Sequence, residues 1–136
     1  KLNRVGTLAV QIPYIQEAPF YKVLFKMVEC EKWHKLSAIK NFHNLTPEEY
    51  YDVLSKLELD FDIWKTDYFH TVDGIDGVIN WYKGSGLRPY LDALDKNKQA
   101  EFLTELKENI KNQYSFQKNG KMILKMPRIF FTATKK

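Results

Sequence analysis

The residues best equipped for chemistry gather around one corner. In Trp81-Tyr82-Lys83-Gly84-Ser85-Gly86-Leu87-Arg88-Pro89-Tyr90, a guanidinium sits near aromatic residues at a break between two helical patterns. An arginine held there can grip a carboxylate by two parallel hydrogen bonds. It can also tie the corner together by bonding helix-end carbonyls, and the local pattern alone favours that plainer role. A second set lies in the strand-like run Leu59 to Val72, where Trp64, Thr66, Tyr68 and His70 fall on alternate positions and share one face. Such a face is an aromatic, hydrogen-bonding wall on which a polar ligand can rest. It equally suits packing under a helix with each polar tip bonded, so both readings stay open for Tyr68 and His70. Arg128, directly after Pro127, is a further guanidinium whose plain role is a solvated side chain.

Several chemistries are missing. His34, His43 and His70 show no metal-ligand spacing, and the lone Cys30 makes no zinc pattern. His34 and His43 read as surface residues. The six glycines form neither a G-x-G-x-x-G fingerprint nor a Walker loop, and no G-x-S-x-G elbow occurs. Glu48-Glu49 belongs to a helix start and not to an acid–base pair. With 21 basic and 17 acidic residues, the net charge of +4 is mild and interspersed, which suits a small anion at least as well as nucleic acid. No RNA-binding motif or basic stripe supports the latter. No run reaches the length of a membrane span, and one cysteine fits a reducing cytoplasm.

The elements that must position these residues follow from spacing. At 136 residues with 44% hydrophobic content, the chain is long enough for one core-forming domain. Val5 to Ile12 reads as a buried strand ended by Pro13. Phe20, Val23, Leu24, Met27 and Val28 make a helical stripe starting near Pro19. Positions 33–42 read as helix, then loop. Thr46-Pro47-Glu48-Glu49 is a capping box with proline at the first helical position, and Tyr50, Val53, Leu54 and Leu57 form that helix's buried stripe. Ile75, Val78, Ile79 and Tyr82 predict a short helix, capped by Asp73 and ended by a left-handed Gly84, with Pro89 opening the next. Asp95 caps a longer helix running to about Tyr114, with Phe102, Leu103, Leu106 and Ile110 along one side. Asn119-Gly120 is a hairpin signal leading into the last strand, Lys121 to Thr134. Pro127 must sit at a bulge or where no ladder bond is needed, and Ile129-Phe130-Phe131 predicts cover on both faces.

Gly6-Thr7-Leu8-Ala9-Val10-Gln11-Ile12-Pro13 resembles the fifth strand of a class I S-adenosylmethionine-dependent methyltransferase. Tyr50-Tyr51-Asp52-Val53-Leu54, Asp62-Ile63-Trp64-Lys65-Thr66-Asp67-Tyr68-Phe69-His70, the Trp81 to Leu91 run, and Gln117-Lys118-Asn119-Gly120 through Pro127-Arg128-Ile129-Phe130 resemble the trans-aconitate 2-methyltransferase family, in order and over nearly the whole chain. The Gly-Leu-Arg-Pro-Tyr-Leu and Ile-Trp-Lys-Thr blocks are the most specific; the segment from Tyr14 to Phe42 departs most.

The resemblance implies an α/β fold: the C-terminal part of a Rossmann-like class I methyltransferase. Its small mixed three-strand sheet would have the last strand central and antiparallel, between Val5 to Ile12 and Leu59 to Val72. The helices between Val72 and Tyr114 would be a substrate-side cover. Residues 1–136 would be a single domain or fragment, with the half that mainly binds S-adenosylmethionine outside it. The implied activity is methyl transfer to a carboxylate of a small polycarboxylic acid. Arg88 would be the first carboxylate clamp and Arg128 the second, with Tyr68, His70, Trp81 and Tyr90 shaping the pocket. No catalytic base is needed, because a carboxylate is already ionised at neutral pH. The alternatives are a non-catalytic module that binds a small acid or regulates a partner, and a methyltransferase with another acceptor. The free edge of strand 5–12 is expected to pair with a second copy or be capped.

Overall fold

The computed structural model of the chain describes residues 2–40 and 44–136. Three strands, β1 (Thr7–Pro13), β2 (Leu59–Val72) and β3 (Met122–Lys135), form one sheet in the order β1-β3-β2. The last strand is therefore central, and it runs antiparallel to both neighbours. The helices are α1 (Pro19–Glu29), α2 (Pro47–Ser55), α3 (Gly74–Lys83), α4 (Arg88–Asp92) and α5 (Lys96–Lys111), with 3-10 turns at Ile15–Glu17 and Glu31–Ala38.

The register divides the sheet into two zones. From Thr7 to Pro13 all three strands run side by side, and the last shared level is Pro13, Arg128 and Thr66. Beyond it β2 and β3 continue as a two-stranded ribbon from Asp67↔Pro127 to Val72↔Met122. Pro127 lies in unbroken register with Asp67, so no bulge is present. Its carbonyl accepts from the Tyr14 N–H at 2.8 Å, so its nitrogen faces the β1 side, just past the end of that strand. The missing donor costs nothing there.

Each zone has its own core. Val72, Met122 and Leu124 lie under α1, α3, α4 and α5, packed with Phe20, Leu24, Ile79, Phe102 and Leu106. In the three-stranded zone, Leu54 of α2 packs with Phe131 and Ala133, with Val10, Tyr50, Phe61 and Ile63 alongside. The period-two pattern of β2 is obeyed: Phe61 and Ile63 face α2, while Trp64 stacks on Phe130 on the other side with centroids 5.3 Å apart.

Local signals held where they rest on neighbouring residues. Thr46 and Glu49 make a complete capping box, with Glu49 N–H to Thr46 Oγ1 at 3.2 Å and Thr46 N–H to Glu49 Oε2 at 2.8 Å. Asp95 caps α5 by accepting from Lys98 N–H at 2.9 Å. The turn after Gln117 uses Gly120 at φ +78°, a conformation that favours glycine.

Other expectations are corrected. Asp73 does not cap α3: its carboxylate pairs with Lys121, and Gly74, at φ +63°, carries the entry turn. Gly84 is right-handed at φ −79°, so α3 ends without a left-handed residue. The stripe of α2 shrinks to Leu54 and half-buried Tyr50, with Val53 and Leu57 49% and 53% exposed. β1 is largely exposed: it is an edge strand, and of its side chains only Val10 packs against the core under α2. Phe130 is half-buried, its face covered in part by the stacked Trp64. Within 33–42, residues up to Ala38 are 3-10 rather than α-helical. His34 is exposed, while Phe42 and His43 lie outside the described residues.

Candidate functional cleft

A cavity of about 300 Å³ opens where the helical cover meets the three-stranded zone. The end of β1 brings Pro13 and Tyr14, the start of α1 brings Ala18 and Tyr21, the end of α3 brings Trp81, Tyr82 and Ser85, and β3 brings Met126, Pro127 and Arg128. Tyr14 directly follows β1 at its carboxyl end, at the level where β2 and β3 continue alone.

Arg128 is the cleft's cation. It is half-buried, and its guanidinium makes no hydrogen bond or ion pair with a described residue. Such a guanidinium is a ready carboxylate fork. Around it stand potential donors without side-chain partners among the described residues: the phenols of Tyr14, Tyr21 and Tyr82 and the hydroxyl of Ser85. Burial raises all three phenol pKa values above 10.0; Glu17 adds to the shift at Tyr14, Tyr90 at Tyr21 and Tyr114 at Tyr82. At neutral pH these groups are protonated and can donate to an anion.

Packing sets these side chains. Phe20 and Tyr82 stack with centroids 3.7 Å apart, and Tyr21 meets both edge-on at 5.5 Å. The Tyr21 hydroxyl lies over Gly86, where a Cβ would come within 2.0 Å of it. Asn44, itself buried, accepts from the Ile15 N–H at 3.3 Å and from the Gln16 amide at 2.9 Å, tying down the turn after Tyr14.

The six residues singled out by sequence divide. Tyr68, His70, Trp81 and Arg128 come together on one side of the β2–β3 ribbon. Trp81 lies over His70 with centroids 4.8 Å apart, and Tyr68 opposes Met126 and stands 6.5 Å from Phe130. Arg88 stands apart: its side chain is 72% exposed, pairs with Asp92 at 3.6 Å, and is not among the cleft's lining residues. It points outward because Leu87, immediately before α4, and Tyr90 within it take the inward positions. Tyr90 is 2% exposed and stacks on Phe102 at 6.5 Å, so it belongs to the core rather than to a pocket wall. Sequence reading passed over Tyr14 and Tyr21, and took Tyr82 for core alone. The usable signal was the position of Tyr14 immediately after a strand-ending proline.

No family model matches the chain. It is 36% identical to a trans-aconitate 2-methyltransferase of Rhodopseudomonas palustris (strain HaA2), over 98% of this chain and 54% of that protein. Enzymes of the same name from Rhizobium meliloti (strain 1021) and Klebsiella pneumoniae (strain 342) are 34% and 38% identical over 96% of this chain, covering 52% and 50% of their own lengths. The chain thus spans about half the length of the curated relatives it matches. Among the described residues, no helix is long and apolar enough to cross a membrane.

Proposed function

We propose that this chain, similar over nearly all its length to trans-aconitate 2-methyltransferases, is the acceptor-side, C-terminal part of a class I S-adenosylmethionine-dependent methyltransferase with a Rossmann-like fold. Its acceptor is a small polycarboxylic acid of the trans-aconitate kind, and its place is the cytoplasm. One observation carries this reading: an unpaired Arg128 set among protonated phenols in a cleft at the carboxyl end of β1.

A carboxylate that does not react docks on Arg128, and the hydroxyls of Tyr14, Tyr21, Tyr82 and Ser85 are the donors available to the acceptor's remaining oxygens. The reacting carboxylate needs no base, so the cleft's contribution is alignment and exclusion of water. S-adenosylmethionine would supply an electrophilic methyl group. The residues present suit the acceptor better than that cofactor, since the chain has no glycine-rich turn to hold the adenosyl group. The clamp role expected of Arg88 passes to Arg128, and Trp81 and His70 form the adjoining wall.

The full-length gene product, incubated with S-adenosylmethionine and trans-aconitate, should give a monomethyl ester by mass spectrometry. Arg128→Met should raise KM about tenfold or more, the loss of a charge-assisted hydrogen bond. Binding of trans-aconitate with no ester formed would select the non-catalytic acid-binding module. An unchanged KM in Arg128→Met with a raised KM in Arg88→Met would return the clamp to the α3–α4 corner.

A further inference from the structure

A second cavity, of about 320 Å³, lies between α1, α5 and the 3-10 turn that follows α1. It shares no lining residue with the cleft at Arg128. Its apolar lining is Val23, Met27 and the indole of Trp33. Trp33 is held by its Nε1–H donating to Glu105 Oε2 at 2.5 Å and by edge-on packing with Phe102 at 5.0 Å. The wall therefore stands formed without a ligand.

The polar rim is exposed and leaves several side chains free to meet a ligand. Asn109 and Asn112 of the α5 end, with Gln113 just beyond, present three carboxamides that bond to no described side chain or backbone group. Two lysines line the cavity, and their situations differ. Lys32 is neutralised by Glu101 at 2.7 Å and by Glu105. Lys26, on α1, has no counter-ion among the described residues. One uncompensated ammonium beside three carboxamides, over an apolar floor, matches a ligand with one carboxylate and a compact apolar body. The carboxylate meets Lys26, the amides complete its hydrogen bonds, and the body lies on Met27 and Val23. The thioether of Met27 favours an aromatic body in particular.

We propose that this cavity is a second ligand site, for a small aromatic monocarboxylate, separate from the acceptor cleft. Of the charged side chains that line the cavity, Lys26 alone makes no ion pair with a described residue, so sign selectivity is the property that distinguishes a built site from a greasy hollow.

The test uses the full-length gene product with benzoate and benzylammonium, which share a ring and differ in charge. In ¹H–¹⁵N spectra, benzoate should shift the side-chain amides of Asn109, Asn112 and Gln113 and the Trp33 indole N–H together, on one saturable curve. Benzylammonium should leave them in place. Lys26→Met, at an exposed position, should weaken benzoate about fivefold, whereas Arg128→Met should leave it unchanged. A second variant, Asn109→Trp, places bulk across the mouth and should abolish the shifts while the remaining spectrum stays folded. Equal shifts from both probes, shifts confined to the Arg128 cleft, or an unaltered affinity in Lys26→Met would overturn the proposal.

Discussion

Replacing Gly86 by alanine tests whether the cleft wall is as closely fitted as its geometry indicates. The new Cβ would stand 2.0 Å from the Tyr21 hydroxyl oxygen, 2.7 Å from Cζ and 3.0 Å from Cε1. Two of these three atoms belong to the ring, so rotating a hydroxyl gives no relief. The ring itself is confined by Phe20, Phe25 and Tyr82, at 5.5, 5.7 and 5.5 Å between centroids. Something larger must move, either the α3–α4 corner away from α1 or Tyr21 into the cleft. Overpacking of this kind costs about 1–3 kcal/mol, and a contact with ring carbon places Gly86→Ala in the upper half of that range. For a chain of this size that is a fall in Tm of about 6–12 °C.

The neighbouring Gly84 supplies an internal control. A Cβ there meets nothing within 4 Å, and its φ of −79° suits any residue. Gly84→Ala should therefore stabilise the chain by about 0.4–1 kcal/mol, through the unfolded state. Urea titrations and calorimetry would measure both variants. In a Tyr21→Ala background the penalty of Gly86→Ala should vanish, giving a coupling energy of about 2 kcal/mol. Tyr21→Phe should rescue only in part, because Cζ remains. A Gly86→Ala variant as stable as Gly84→Ala, or an undiminished penalty without the Tyr21 ring, would refute the reasoning.

Other expectations concern caps, titration and the sheet edge. Thr46→Ala removes one half of the capping box and should cost about 1 kcal/mol in urea denaturation. Burial pushes the Tyr114 phenol up to about 12 from 10.0, and its hydroxyl approaches the Phe20 backbone without reaching hydrogen-bond geometry. Above pH 10 the unfolded chain loses that proton while the native state keeps it. Stability present below pH 10 should thus drain away by about 2–3 kcal/mol towards pH 12, and Tyr114→Phe should flatten this slope in alkaline melts. We propose that the open edge of β1 pairs with a second copy when no other strand is supplied. Sedimentation of the 136-residue chain should then show a dimer that Leu8→Lys dissociates, and a monomer at all concentrations would sink the idea.

The features legible from residues alone were local or periodic. The capping box at Thr46, the Asp95 cap, the alternate faces of β2 and the Asn119-Gly120 turn all depend on residues a few positions apart, so their physics is complete within a short window. Resemblance, rather than periodicity, placed β3 at the centre. Which residues face the cleft was settled by packing between distant elements. Arg88 and Arg128 look alike as isolated arginines beside aromatics and prolines. They part because Leu87 and Tyr90 take the inward positions at the α4 corner, while the register Pro13–Arg128–Thr66 leaves Arg128 at the level where β1 ends and the helices begin. Tyr14, Tyr21 and Tyr82 come from three distant segments and meet because aromatic packing around Phe20 fixes their angles. The direction of a side chain toward a cleft is set by contacts between elements far apart in the chain, which no short window of residues contains.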